Sequence, residues 1–320
     1  MSNVMTKTLS ELEHKIQTQT AHIGVIGLGY VGLPVACIFA DAGFRVTGID
    51  LKHERVAQIN NGQSPIEGKE PGLAPLITKV IEAEALQAST DYAALSNCDV
   101  VLINVETPVN EEHEPRYQAL RSALRSLAAV LKQGSLVIVE STLAPGTMDN
   151  VVRPLLEEAS GMSVNQDIFL GHCPERVMPG KLLTNLRAMS RVCGGMTPER
   201  ARVMVALYRH IVDADLDGTD CVTAELVKTT ENAYRDVNIA FANEVALICE
   251  AVGGDVWKVR ELVNKSPGRA MLYPGAGVGG HCIPKDPWLL SYRAQAKGTA
   301  VRLIPAARAV NDGMPLHIAG

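Results

Sequence analysis

Short apolar runs and longer amphipathic stretches follow one another through the first two hundred residues. The apolar runs have the length of buried strands, and the stretches after them have the spacing of helices. Strands are predicted at residues 23–26, 45–49, 99–105, 135–139, 168–171 and 190–195, and helices near 52–60, after Gly72, near 117–131 and after Thr197. Strands that alternate with helices are typical of α/β proteins with a parallel, doubly wound sheet.

The pattern changes to long helices at about residue 222. The segment from Thr223 to Gly254 contains few helix-breaking residues, and a second helix is predicted over 255–264. A glycine-rich loop follows, and residues 287–312 then predict a helix that is broken at Pro305. The second part of the chain is therefore predicted to be a helical domain.

The N-terminus has helical spacing of its own, with Leu9, Leu12 and Ile16 on one face. We therefore predict an amphipathic extension that packs on the surface of the α/β domain. The predicted division of the chain is an N-terminal helical extension at 1–20, an α/β domain at 21–215, and a helical central domain at 216–320.

Composition narrows the class of protein. A hydrophobic content of 47%, a charged content of 20% and a mean hydropathy of +0.08 indicate a packed soluble protein rather than a disordered one. The net charge is −5, and no run of Lys and Arg alternates with aromatic residues, so nucleic acid is excluded as a partner. No apolar run is long enough to cross a membrane, and the N-terminus lacks the apolar core of a signal peptide.

The seven cysteines are dispersed and include no C-x-x-C pair. An odd number of scattered cysteines indicates reduced thiols in a cytoplasmic protein rather than disulfides or structural zinc. We therefore predict no metal site.

The most specific motif follows the first predicted strand. It runs Gly27-Leu28-Gly29-Tyr30-Val31-Gly32, a G-x-G-x-x-G pattern between a strand and a helix. Gly27 permits a tight turn, Gly29 lets the backbone approach a pyrophosphate, and Gly32 allows the helix to pack on the strand. The free N–H groups of the helix N-terminus attract phosphate, so we predict a dinucleotide-binding Rossmann domain.

Asp50 ends the second strand, where it can accept hydrogen bonds from an adenosine ribose. A 2′-phosphate at this place would meet a like charge, so NAD is favoured over NADP. Lys52 and Arg55 lie nearby and leave NADP open as the alternative.

Three polar residues follow the carboxyl ends of later strands, the edge where ligands bind in such sheets. Thr107 and Thr142 are predicted either to contact a ligand or to cap helices. Glu175 is a candidate acid or base, and the alternative is an ion pair with Arg176 or another surface cation.

Cys282 lies in the loop Gly275 to Asp286, behind Gly277, Gly279 and Gly280. Lys285 and Asp286 place a cation and a carboxylate within one turn of the thiol, and such neighbours can make a cysteine a nucleophile. The alternative is a small buried thiol in a glycine-rich turn.

Lys228 and Asn232 are four residues apart and share one face of the long predicted helix. Polar groups on a mostly buried face are costly without a partner or a function, so both are candidate site residues.

These motifs, taken in order, resemble the UDP-glucose/GDP-mannose dehydrogenase family of NAD-dependent nucleotide-sugar dehydrogenases over roughly residues 21–320. The motifs are GLGYVGLP (27–34), TP (107–108), STLAPGT (141–147), PER (174–176), AELVKTTENAYRDVNIAFANE (224–244) and GGHCIPKD (279–286). The segments CPERVMPG and ARAVNDGMP are similar to the corresponding sequences of the branch that oxidises UDP-N-acetyl amino sugars. Pro179 stands where the glucose and GDP-mannose branches usually carry a second acid, which makes UDP-N-acetylmannosamine the expected substrate and UDP-glucose the alternative.

The resemblance implies a four-electron oxidation of the sugar C6 alcohol to a carboxylate, with two NAD consumed, for surface polysaccharide biosynthesis. Cys282 would add to the aldehyde, giving a thiohemiacetal and then a thioester. Lys228 would stabilise the oxyanion beside Asn232, Thr142 and Asp286 would orient the hydrolytic water, and Glu175 would act as base. NAD is expected to contact Gly27, Gly29, Tyr30, Val31, Gly32, Asp50, Arg55, Thr107 and Thr142.

The resemblance also implies that the long helix near 223–252 forms the core of a homodimer. Packing within the chain would explain its apolar residues equally well. Family members continue into a further α/β domain that binds the nucleotide sugar, and we expect that domain to be absent from this chain.

Two other interpretations stay open. A β-hydroxyacid dehydrogenase of the 6-phosphogluconate type also has a dinucleotide fold and a helix with Lys-x-x-x-Asn, but it needs no cysteine. A non-catalytic NAD-binding or dimerisation module is the second, although it leaves Cys282, Lys228, Asn232 and Asp286 unexplained.

Overall fold

The computed structural model describes the backbone of residues 2–177 and 180–320, and the side chains from residue 8 onward. Pro179, the position used above to separate the branches, lies outside the described residues. The chain divides into two compact units: an α/β unit, Met1–Thr107 with Tyr117–Glu225, and a helical unit, Pro108–Arg116 with Leu226–Gly320.

Among the described residues, the α/β unit is built on one eight-stranded sheet. Its strands are β1 His22–Ile26, β2 Arg45–Ile49, β3 Leu86–Ser89, β4 Val100–Ile103, β5 Leu136–Val139, β6 Phe169–His172, β7 Arg191–Gly195 and β8 Leu216–Asp220. The spatial order is β3-β2-β1-β4-β5-β6-β7-β8. The crossing of the chain beside β1, from β3 on one side to β4 on the other, is the doubly wound arrangement that was predicted.

Helices cover both faces of this sheet. They are α1 Ser2–Gln17, α2 Gly32–Asp41, α3 His53–Asn60, α4 Leu73–Glu82, α5 Gln118–Ala128, α6 Arg153–Ser160, α7 Leu182–Ala188 and α8 Pro198–Tyr208. A 3₁₀ turn at Tyr92–Leu95 and a π-helical turn at Met148–Val152 complete the unit.

Alternate residues of each central strand enter different hydrophobic cores. In β4, Val100 and Leu102 pack with α2, α4 and α8, whereas Val101 and Ile103 pack with α5 and α6. Because both faces are covered, the strands are continuous apolar runs, which is why the sequence predicts them well. At the N-terminus, Leu9, Leu12 and Ile16 of α1 are buried in the first of these cores.

The last two strands differ from the predicted parallel sheet. Strands β1 to β6 pair in parallel, but β7 pairs antiparallel with β6, and β8 then runs parallel to β7. The strands β3 and β8 were not predicted. Both lie at the edges of the sheet, where polar residues are tolerated and the apolar signal is weak.

The helical unit contains most of α9 Cys221–Val252, then α10 Val256–Val263, α11 Asp286–Ala296 and α12 Leu303–Ala319. The predicted helix over 287–312 is instead two helices, and the break falls between Ala296 and Leu303. Pro305 does not break a helix, because it lies in the first turn of α12. Backbone N–H groups in the first turn form no hydrogen bond within the helix, so a proline is tolerated there. None of the helices among the described residues is long and apolar enough to cross a membrane.

Candidate active site

The glycine-rich turn after β1 has the shape of a dinucleotide cradle. Gly27 has φ +89°, and a Cβ atom there would lie 2.3 Å from the carbonyl oxygen of Asn104. A Cβ at Gly32 would lie 1.9 Å from the Gly27 carbonyl oxygen, so α2 packs directly on the turn. A Cβ at Gly29 would meet no atom within 4 Å, which leaves that backbone open to a pyrophosphate. These residues therefore fit the phosphates of a dinucleotide.

Asp50 is buried at the end of β2 beside this turn. Its carboxylate accepts hydrogen bonds from the backbone N–H groups of Leu28 and Lys52, both at 3.0 Å. It also accepts one from the Arg55 guanidinium at 2.8 Å. Arg55 is thus held by a carboxylate and is not free to meet a 2′-phosphate, which favours NAD over NADP.

The other two motif residues lie at the start of α2. Val31 directly precedes the helix. The hydroxyl of Tyr30 donates a hydrogen bond to Glu70, and Glu70 also accepts the N–H of Gly180 at 2.8 Å. Glu70 therefore links the glycine-rich turn to the segment that follows the PER motif.

The two strand-end threonines are connected to each other. The Thr107 hydroxyl donates to the carbonyl oxygen of Thr142 at 2.7 Å. Neither caps a helix, because α5 is preceded by Tyr117 and the π-helical turn by Thr147. The capping alternative is therefore wrong for both, and the loops that follow β4 and β5 are joined at this edge of the sheet.

Glu175, after β6, is paired with a buried cation rather than a surface one. Its carboxylate lies 2.6 Å from the guanidinium of Arg191, in an ion pair without hydrogen-bond alignment. The same carboxylate accepts the backbone N–H of Arg176 at 2.7 Å. Arg191 is 1% exposed and also lies 3.6 Å from Glu140. Burial raises the pKa of Glu140 to about 7.

In the helical unit the thiol of Cys282 is exposed, whereas the other six cysteines are buried. The buried-thiol alternative is therefore wrong for this residue. The carbonyl oxygen of Cys282 accepts the N–H of Asp286 at 2.9 Å, so the loop turns directly into α11.

Asp286 is 1% exposed, and both of its carboxylate oxygens have partners. Asn232 donates to one at 2.5 Å, and Lys285 donates to the other at 2.7 Å. Within this unit, Asp286 is thus bonded to Asn232 through its side chain and to Cys282 through its backbone. Lys228 lies one turn from Asn232 on α9, and its ammonium has no hydrogen-bond partner among the residues the structure describes.

Two family models match the chain. The NAD binding domain of the UDP-glucose/GDP-mannose dehydrogenase family matches residues 21–212, and the central domain of that family matches residues 222–313. The chain belongs to this family. Its α/β unit is therefore an NAD-binding domain, as the glycine cradle and Asp50 predicted.

Relatives of this dehydrogenase family member extend the comparison. The chain is 43% identical over 302 residues to the UDP-N-acetyl-D-mannosamine dehydrogenase of Yersinia pestis, covering 92% of this chain and 70% of the relative. It is 41% identical to the protein of that name from Campylobacter jejuni, covering 91% of this chain and 71% of the relative. The solved structure of a UDP-D-ManNAc dehydrogenase from Pyrococcus horikoshii aligns with a TM-score of 0.88 at 39% identity, over 93% of this chain and 70% of that one.

Sequence reasoning missed the residues that support the family's motifs from a distance. Arg191 pairs with Glu175, and Glu70 holds Tyr30. Buried Glu225 accepts the N–H groups of Gly146 at 2.5 Å and of Met148, which fixes the turn after Thr142. Burial raises the pKa of Glu225 to about 7. Their sequence neighbours do not identify these partners, which lie far away along the chain.

Proposed function

We propose that the chain oxidises the C6 alcohol of a UDP-N-acetylhexosamine, with UDP-N-acetylmannosamine as substrate, to the uronic acid for a surface polysaccharide. The names of the relatives at about 40% identity support this substrate class. The observation that carries the chemistry is the exposed thiol of Cys282, one turn before a buried Asp286 that Asn232 holds. A single alcohol oxidation needs no such thiol.

The first step is oxidation of the alcohol to the aldehyde. Lys228 is assigned to take the alcohol proton as a neutral amine and then, as an ammonium, to stabilise the developing oxyanion. The lack of a hydrogen-bond partner for its side-chain nitrogen among the described residues supports this role. Asn232 adds a neutral donor on the same helix face. NAD, when bound by the glycine cradle and Asp50, supplies the hydride acceptor for each oxidation.

The second step needs a nucleophile because an aldehyde carbon carries no alkoxide to expel a hydride. The Cys282 thiolate adds to the carbonyl carbon, and the former carbonyl oxygen takes the charge and then a proton. Loss of a hydride from this thiohemiacetal, with loss of the hydroxyl proton, leaves a thioester on Cys282. The second oxidation is thereby converted into acyl chemistry.

The last step is hydrolysis of the thioester, which releases the acid and the thiol. We assign Thr142 and Asp286 to orient the water and Glu175 to accept its proton. The guanidinium of Arg191 lies 2.6 Å from the Glu175 carboxylate and holds it beyond the end of β6, which supports this role. Asp286 has its position fixed by two donors, which suits an orienting group.

The same proposal includes the organisation of the chain. We assign residues 1–20 to the extension, 21–215 to NAD binding, and 216–320 to the helical central domain with the Cys282 loop. A cytoplasmic location is supported by seven free thiols.

A homodimer through α9 is supported by a row of exposed apolar side chains. Tyr234, Phe241 and Ile248 are seven residues apart and are 70%, 58% and 55% exposed. Heptad spacing keeps such residues on one stripe, as in paired helices. Phe241→Glu is expected to yield monomers in analytical ultracentrifugation, whereas an unchanged sedimentation coefficient would contradict this interface.

The test of the function is the NADH released per UDP-N-acetylmannosamine consumed, with UDP-glucose as the competing substrate. A ratio near two is expected. A ratio near one would favour the hydroxyacid-dehydrogenase interpretation, and no NADH would favour a binding module. Faster turnover of UDP-glucose than of UDP-N-acetylmannosamine would favour UDP-glucose as the substrate.

A further inference from the structure

Four polar side chains form a buried chain in the helical unit that the proposed chemistry does not use. They are Asp236 and Asn243 on α9, and Arg308 and Asn311 on α12, each at most 3% exposed. Burial of amide and charged groups is costly unless they are fully paired. The hydrogen bonds of these four groups lead to the backbone of Gly275.

The chain of hydrogen bonds begins at an ion pair and ends at a loop. Arg308 donates to the Asp236 carboxylate at 2.6 Å, and the Asn311 amide donates to the same oxygen at 2.9 Å. The Asn243 amide donates to the side-chain oxygen of Asn311 at 3.0 Å. The side-chain oxygen of Asn243 then accepts the backbone N–H of Gly275 at 2.8 Å.

The two amides can have only one orientation in this chain. A backbone N–H can only donate, so Gly275 requires the oxygen of Asn243 to face it. The NH₂ of Asn243 must then face the oxygen of Asn311, whose NH₂ faces Asp236. An Asp at either asparagine would have the right shape but would lack one donor.

Gly275 is the first residue of the loop that carries Cys282, and this loop has few other anchors. Before His281 it contains only Gly, Ala and Val, so no polar side chain of its own can fix it. Among the residues that the structure describes, none forms a hydrogen bond with the backbone of residues 276–281. At the far end the loop is closed by the bond between the Cys282 carbonyl and the Asp286 N–H.

A second contact joins the loop to Asn311. Gly277 has φ +86°, and a Cβ atom there would lie 2.2 Å from the main-chain oxygen of Asn311. The backbone of Gly277 therefore lies directly against α12. Asn311 meets the loop at this point and also supports Asn243 through its side chain.

We propose that Asn243 and Asn311 are positioning residues for Cys282, setting the loop through the Gly275 N–H so that the thiol can reach the aldehyde. This inference rests on the nucleophilic role of Cys282 in the proposed function. The buried pair Asp236 and Arg308 holds the amides in their single orientation.

The test removes one N–H group at an exposed position. Gly275→Pro deletes the donor to Asn243, whereas Gly275→Ala keeps it. A Cβ at Gly275 meets no atom within 4 Å, and its φ is not positive, so the alanine variant is a matched control. Single-turnover formation of NADH from UDP-N-acetylmannosamine separates the first oxidation from the second.

In Gly275→Pro the second phase of NADH formation is expected to slow roughly tenfold or more while the first phase keeps its rate, because a small displacement of a nucleophile is costly. Hydrogen exchange in the peptide 277–285 is expected to rise, and exchange in α10 to stay unchanged. The alanine variant is expected to behave as wild type. Equal slowing of both phases, or unchanged second-phase rate and loop exchange in the proline variant, would overturn the proposal.

Asn243→Leu removes the same bond from the buried side at similar volume, and the same selective loss is expected. Thermal unfolding of each variant shows whether the selective loss occurs in a folded protein. Cys282→Ser, assayed in parallel, separates the two ideas. If it forms the acid at an undiminished rate, the nucleophilic role of Cys282 in the proposed function fails, and loop exchange in Gly275→Pro still decides whether Asn243 and Asn311 fix the loop.

Discussion

The carboxylate of Glu175 lies 2.6 Å from the guanidinium of Arg191, and both groups are almost completely buried. Arg191 is the first residue of β7, the strand that runs antiparallel to β6, and Glu175 lies in the loop after β6. The reversed strand thus brings a cation to the edge of the sheet where the parallel strands end. The unexpected direction of β7 therefore explains why Glu175 lies beside a buried cation.

Replacement of this cation is expected to destabilise the fold. Arg191→Met leaves Glu140 and Glu175 as buried carboxylates without their partner, and loss of one member of a buried ion pair costs about 3–5 kcal/mol. Urea unfolding at pH 8 measures the change. The double variant Arg191→Met with Glu140→Gln is expected to recover part of the loss. A change below about 1 kcal/mol in the single variant would show that the pair is not important for stability.

Loss of the Cys282 thiol is expected to separate cofactor binding from product formation. Cys282→Ser keeps the glycine cradle and Asp50, so NADH should bind with unchanged affinity by fluorescence titration. Acid should no longer form, since the hydroxyl is a much weaker nucleophile. Cys249→Ser removes a buried thiol of α9 as a control and should keep turnover. Undiminished acid formation by Cys282→Ser would exclude the covalent mechanism.

The cofactor preference is expected to depend on Asp50. Asp50→Ser removes the acceptor for the ribose hydroxyls and releases Arg55, which is held at 2.8 Å. The Kd for NAD should rise roughly tenfold, as for loss of a hydrogen bond to a charged group. The ratio of the Kd for NADP to the Kd for NAD should fall by more than this factor. Glu54→Ser, in the first turn of α3, is the control, and an unchanged Kd ratio in Asp50→Ser would contradict this role.

Acid stability is expected to depend on a buried imidazole. Nδ1 of His172 lies 2.8 Å from the carbonyl oxygen of Val139 and therefore carries the proton. Nε2 is buried and has no hydrogen-bond partner among the residues that the structure describes. Burial lowers the pKa of His172 to about 4. Since the unfolded ring titrates near 6.5, the stability it contributes is present above pH 6.5 and is lost as the pH falls toward 4.

His172→Asn keeps a donor near Nδ1 and removes the titration. The free energy of unfolding of the wild type should fall, relative to this variant, by at most about 3 kcal/mol between pH 7 and pH 4. Urea unfolding at several pH values measures the difference. His14→Asn, on the exposed face of α1, should leave the pH dependence unchanged. Parallel curves for wild type and His172→Asn would contradict the neutral buried ring.

The central strands could be predicted because both of their faces are buried and each is a plain apolar run. β8 could not, since its sequence LDGTD is polar and mostly exposed. The direction of β7 could not be predicted either, because an apolar strand has the same sequence pattern in a parallel and an antiparallel pair. Only the path of the chain between β6 and β7 determines the direction.

The motif residues of the candidate site could be predicted because each has a chemical signature within a few positions. Their supporting residues could not. Asn243 and Asn311 are ordinary polar residues in sequence, and their role depends on meeting Gly275 from helices that are far apart along the chain. A single sequence contains no signal for such contacts.

The unbroken helix α9 limits how genes of this kind can change. Lys228, Asn232, Asp236 and Asn243 all lie on it, at a rotation of about 100° and a rise of about 1.5 Å per residue. A single-codon insertion between Asn232 and Asn243 would turn everything beyond it by that angle and separate Asn243 from Gly275. Point substitutions can be absorbed at the positions of this helix that have no assigned role, but changes of its length cannot, so insertions and deletions should accumulate in the loops instead.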